Sequence, residues 1–129
     1  MIAPLLAPLA LAAAEPVAEP AAENEITVIG NRLRDWAGRW KLRKGAIACK
    51  TTRSTGDKAI DAIGCNALVQ CLTPLASQFS ALEKAKLSQE ETTARARALH
   101  EEAKVRECVT DRRSDGIAAL VAARRSKRT

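Results

Sequence analysis

Four cysteines, Cys49, Cys65, Cys71 and Cys108, constrain this 129-residue chain more than any other feature. Their spacing, C-x15-C-x5-C-x36-C, contains no close pair. Structural zinc sites bring ligands in close pairs such as C-x2-C, and thiol redox centres use C-x-x-C. Neither pattern is present, and no metal or cofactor is assigned. An even number of cysteines in a short exported chain reads instead as a disulfide framework. Size makes that framework necessary, because a single folded unit of fewer than about 100 residues buries too little surface to be comfortable without staples. Aromatic residues make up only 2% of the chain, with no Tyr. The core must therefore come from Ile, Leu, Val and Ala.

Export is itself read from the N-terminus. Met1 to Ala14 carry no charge, are mostly Leu and Ala, and end in Ala12-Ala13-Ala14 before Glu15. Small residues spaced A-x-A behind a short apolar run are what signal peptidase needs. The run is shorter than the roughly 20 residues that cross a bilayer, so no transmembrane helix is expected. Residues 1–14 are assigned as a signal peptide, and the mature chain should begin near Glu15. The Pro/Ala/Glu run 15–24 reads as a disordered linker. Residues 25–126 read as one small domain, and 127–129 as a basic tail. A periplasmic or secreted location follows.

The charge is lopsided. The net +6 arises mainly from the segment 32–58, with nine bases against Asp35 and Asp57, and from the C-terminal Arg124, Arg125, Lys127 and Arg128. Residues 15–31 hold four acids and no base. Single-stranded nucleic-acid binders stack bases on aromatic side chains. Only Trp36 and Trp40 offer that, Trp40 is the better core candidate, and export removes most such partners. No nucleic acid is expected. An anionic envelope surface is the more available target.

The local pattern points to an α+β fold, in which a small antiparallel sheet packs on three to four helices. Glu25–Ile29 is β-branched and reads as a short strand ending at Gly30-Asn31. In the segment 39–52, Trp40 and Leu42 alternate with Arg39, Lys41 and Arg43, and Lys44-Gly45 supplies a hairpin turn. Ser54 caps a helix that runs to about Leu72. Thr73-Pro74 starts another. Ser88 and Glu91 form a capping box for a long Ala-rich helix to about Val109, and Ser114-Asp115-Gly116 restarts a last short one.

Reach along these elements selects a cysteine pairing from the three that four cysteines allow. Cys49 lies ~16 Å back along its strand from the Ser54 turn, and Cys65 lies ~12 Å along the helix. Cys71 would lie ~21 Å along, a poorer match. Cys65 and Cys71 also point about 120° apart. The expected bridges are Cys49–Cys65 and Cys71–Cys108. His100 is the lone histidine and reads as a solvated surface residue. No G-x-S-x-G, P-loop or paired-acid signature is present, so no catalytic residue is assigned.

Glu25-Ile26-Thr27-Val28-Ile29-Gly30-Asn31-Arg32 resembles the TonB box of outer-membrane TonB-dependent receptors: an acid, alternating Ile/Val/Thr, then Gly and Arg, behind a signal peptide and a flexible leader. The resemblance covers eight residues and implies strand addition to the sheet edge of an envelope protein. The chain has no room for a plug and a barrel. The reading that results is a non-enzymatic exported binding protein. Its candidate contacts are Ile26, Val28, Arg39, Lys41 and Arg43, and its partner is an envelope protein or an anionic envelope surface. A small enzyme with no recognisable site is the alternative.

Overall fold

The computed structural model describes residues 20–128. The signal peptide expected over 1–14 and the first half of the expected linker, 15–19, lie outside the described residues. In chain order the elements are α1 (Pro20–Arg34), β1 (Ala37–Arg43), β2 (Ala46–Arg53), α2 (Lys58–Leu72), a 3₁₀ turn (Thr73–Leu75), α3 (Ala76–Lys84), α4 (Gln89–Glu102) and α5 (Val105–Lys127). The α+β fold is as expected: one antiparallel hairpin packed on helices and tied by two disulfides.

The hairpin follows the alternation in its sequence. Trp40 pairs with Cys49 and Leu42 with Ile47 on one face, while Arg39 pairs with Lys50, Lys41 with Ala48 and Arg43 with Ala46 on the other. Lys44 and Gly45 turn the chain with positive φ of 52° and 79°. Gly45 meets this demand without a Cβ clash.

Glu25–Ile29 is not a strand. It lies inside α1, and the helix also takes in 20–24, the end of the expected linker. The β-branched run conceals a helical stripe. Ile29 and Leu33, one turn apart, are both buried and join Trp36 in a cluster with Ile60, Ile63 and Val121. Burying side chains of this size contributes roughly 1.5–3 kcal/mol each, more than the few tenths by which β-branching disfavours a helix. Glu23 in the first turn and Arg32 and Arg34 in the last complement the helix dipole.

The helix α2 contributes more buried apolar side chains than any other element of the described residues. By length and composition the run Lys58–Lys84 is apolar enough to cross a membrane, but its apolar stripe is used inside the protein. Ile60 and Ile63 enter the Trp36 cluster. Cys71, Leu72, Leu75 and Phe79 form a second cluster with Ile47 and Val105, and Leu68 packs against both. The cap of α2 is Asp57 rather than Ser54, its carboxylate accepting from the Ala59 and Ile60 amides at 2.9 and 3.3 Å. Ser54 and Thr55 donate their hydroxyls to Asp61 instead.

Two further boundaries differ from expectation. The long C-terminal helix breaks at Lys104, which takes a left-handed φ of 51° and separates α4 from α5. Conversely, Ser114-Asp115-Gly116 restarts nothing, because α5 runs straight through it. Gly116 is there for packing: a Cβ would sit 2.9 Å from Ile63 Cγ2, so the absence of a side chain lets α5 approach α2. Ser88 does cap α4, accepting from the Glu91 amide at 3.1 Å.

Both disulfides join the expected partners. Cys49–Cys65 ties β2 to α2 with Cα atoms 5.5 Å apart. Cys71–Cys108 ties the end of α2 to α5 with Cα atoms 5.9 Å apart.

Candidate functional site

The hairpin's outer face is strongly basic. Arg39, Lys41 and Arg43 alternate along β1 and are exposed, Lys50 lies across from Arg39, and Lys44 and Arg53 flank them. No acid occurs between 37 and 53. Ala46 and Ala48, opposite Arg43 and Lys41, are too short to cover their neighbours. Among the described residues, the ion pairs involve other bases: Arg32 and Arg124 with Asp57, Arg112 with Asp115, and Arg128 with Glu25. The hairpin bases face one another and solvent, and none of them forms an ion pair with a carboxylate of the described residues.

The rest of the charge is structural. Asp57 caps α2 and receives the Arg124 guanidinium of α5, with Arg32 of α1 at 4.0 Å. One carboxylate thus joins three helices. The Arg124 hydrogen bond, reinforced by the two cap amides and opposed by desolvation, holds the Asp57 carboxyl below its ordinary value. Asp61 is also held low, first by the Ser54 hydroxyl and then by the Thr55 amide.

The two tryptophans exchange their expected roles. Trp36, not Trp40, is the buried one, at 8% exposure. Its indole N–H donates to the Thr51 hydroxyl at 2.9 Å, and Gly38 and Gly64 sit close against the ring. Trp40 is half-buried and packs on Phe79, ring centroids 4.8 Å apart. His100 belongs with them rather than with the solvated surface. It lies 5.9 Å from Trp40 and 5.5 Å from Phe79, and its Nδ1–H donates to the Ala96 carbonyl at 2.8 Å. A carbonyl only accepts, so the hydrogen bond fixes the proton on Nδ1.

Ile26 and Val28 project from α1 with 42% and 57% exposure, the exposed large hydrophobics among the described residues. Two residues apart on a helix, they point to different sides of α1, and the bases lie on the hairpin, so the expected contacts are not one continuous strand face. Pairing of 25–32 as an added strand would require unwinding α1 and withdrawing Ile29 and Leu33 from the core. Two grooves were not legible in the sequence. One, of about 980 Å³, runs between α4 and α5 past His100, Arg97 and Arg106. The other, of about 460 Å³, runs between α1 and α5 past Arg34 and Arg113. No cluster of three or more His, Cys, Asp or Glu side chains suited to a metal ion occurs among the described residues.

Fold and charge together define a small disulfide-stapled α+β protein presenting a cationic hairpin. No protein-family model matches the chain, and no curated protein or solved structure matches it.

Proposed function

We propose that this is an exported, non-catalytic binding protein of the periplasm or extracellular space whose hairpin docks on anionic envelope surfaces. The uncompensated basic face of 37–53 carries this reading. Four bases share one face of two strands, and no carboxylate of the described residues neutralises them. Like charges held this close are relieved by an anionic partner. The face is an open sheet surface, which suits an extended layer of charge. The two disulfides are consistent with an oxidising compartment.

The expected strength follows from the count. A base near an anionic bilayer contributes about 1 kcal/mol, so the four bases amount to ~4 kcal/mol, about three powers of ten in partitioning. Co-sedimentation with neutral vesicles and with vesicles containing anionic lipid tests the proposal. Binding should be confined to the anionic vesicles and should fade as salt rises, since the screening length is ~10 Å at 0.1 M. The double variant Lys41→Gln/Arg43→Gln should bind about 30-fold more weakly, from ~2 kcal/mol lost. Equal recovery on both vesicle types at low salt would rule the proposal out.

A further inference from the structure

Arg113 is in an unusual position for a cation. It sits on α5 with its guanidinium carbon 5.4 Å over the Trp36 ring. Its Nε is buried and has no hydrogen-bond partner. No carboxylate of the described residues pairs with it. A half-buried charge without a counter-ion is costly, because it has given up water for nothing equivalent. Burial accordingly lowers the Arg113 pKa below its ordinary value. Trp36 cannot act as the counter-charge, since a ring face supplies only a fraction of a hydrogen-bonded anion's attraction.

The groove beside it has a consistent chemistry. Arg34 of α1 and Arg113 of α5 line it from opposite helices, with Thr27, Asn31, Thr110 and Ser114 between them, and no acid lines it. The Thr110 hydroxyl is committed to the Arg106 carbonyl at 3.0 Å, and the two guanidiniums, the Thr27 and Ser114 hydroxyls and the Asn31 amide remain as a donor set for an oxyanion. The volume of about 460 Å³ falls within the ~300–1,000 Å³ of small-molecule sites. No hairpin residue contributes, so the groove is separate from the cationic face.

We propose that the α1–α5 groove binds a tetrahedral oxyanion, a phosphate or sulfate group, between Arg34 and Arg113. Stacking on Trp36 holds the Arg113 guanidinium in place before the ligand arrives, so little side-chain freedom is lost on binding.

The test follows the Arg113 Nε–H and Trp36 Nε1–H resonances of the full, oxidised chain. Inorganic phosphate is titrated against sodium chloride at matched ionic strength. Both resonances should move saturably with phosphate and not with chloride. Arg34→Gln, an exposed substitution, should weaken binding at least fivefold, and Arg113→Met, which keeps an apolar stem against Trp36, should abolish it. Should Arg113→Met fail to fold, Arg34→Gln alone decides. Lys41→Gln/Arg43→Gln should leave the titration unchanged, which separates this site from the hairpin face. A parallel titration with glycerol phosphate distinguishes sources. Binding tighter than inorganic phosphate points to an ester such as a lipid headgroup, and equal or weaker binding to the free ion. Shifts identical to those in chloride, or unaltered affinity in Arg34→Gln, would overturn the proposal.

Discussion

Substituting Gly64 by Ala sets two effects of opposite sign against each other. In a helix interior Gly is less favourable than Ala by about 0.5–1 kcal/mol, so propensity alone makes the substitution stabilising. The structure opposes it. A Cβ at position 64 would lie 2.5 Å from Trp36 Cδ2 and 2.6 Å from Cε2 and Cε3. Relief requires the ring to move by about 1 Å, since carbon contacts settle near 3.5–4.0 Å. The ring is not free to do so. Its N–H is held by Thr51, its far edge lies so close to Gly38 that a Cβ there would be 2.4 Å away, and Arg113 covers it. Overpacking of this kind costs roughly 1–3 kcal/mol, and loss of the Thr51 hydrogen bond adds about 1 kcal/mol. The net expectation is a destabilisation of about 1–3 kcal/mol. At roughly 4–8 °C per kcal/mol for a domain of this size, Tm should fall by about 4–24 °C in thermal unfolding followed by circular dichroism. Trp36→Leu removes the obstacle, so Gly64→Ala in that background should be neutral or stabilising. A Gly64→Ala protein as stable as wild type, or an unchanged penalty in the Trp36→Leu background, would show that the ring does not limit this site.

The disulfides should rank by loop length. With separations of 37 and 16 residues, the chain-entropy relation gives about 4 kcal/mol for Cys71–Cys108 and about 3 kcal/mol for Cys49–Cys65. Cys71→Ser/Cys108→Ser should therefore melt below Cys49→Ser/Cys65→Ser, and the reverse order would refute the ranking. For Asp57, whose folded pKa is depressed, the stabilisation is present above the unfolded value of ~3.9 and is lost as pH falls through the folded one. Asn keeps the capping oxygen, so Asp57→Asn should be less stable than wild type at pH 7 and converge on it near pH 2. A stability gap that is constant or widens toward acid in urea titrations would contradict this.

How much of the structure could be read beforehand depended on whether the cause was local. The hairpin was legible because Lys44-Gly45 and the alternation of Trp40 and Leu42 with Arg39, Lys41 and Arg43 act within a few residues. The basic face came with it. The disulfide partners followed from element lengths. Helix α1 was not legible, since Ile26-Thr27-Val28-Ile29 has strand propensity and its helical state rests on Ile29 and Leu33 meeting Ile60, Ile63 and Val121, residues distant in sequence. The α4–α5 break was hidden for another reason: a lysine at positive φ leaves no Gly or Pro as a marker. Gly116 misled in the opposite direction, because close packing on Ile63 and a helix stop call for the same residue. The α1–α5 groove could not be found at all while α1 was read as a strand.

The two tryptophans divide between the two halves of the core: Trp36 is a member of the cluster with Ile29, Leu33, Ile60, Ile63 and Val121, and Trp40 packs against the one containing Ile47, Leu72 and Phe79. With no Tyr and a single Phe elsewhere in the chain, nearly all the near-ultraviolet emission comes from these two indoles. The protein therefore carries one intrinsic fluorophore per core half. A Trp40→Phe protein reports on the α1–α2–α5 side alone, and a Trp36→Phe protein on the hairpin–α3 side alone. Overlaid denaturation curves from the pair read out directly whether the halves, bridged by Leu68, come apart together or in sequence.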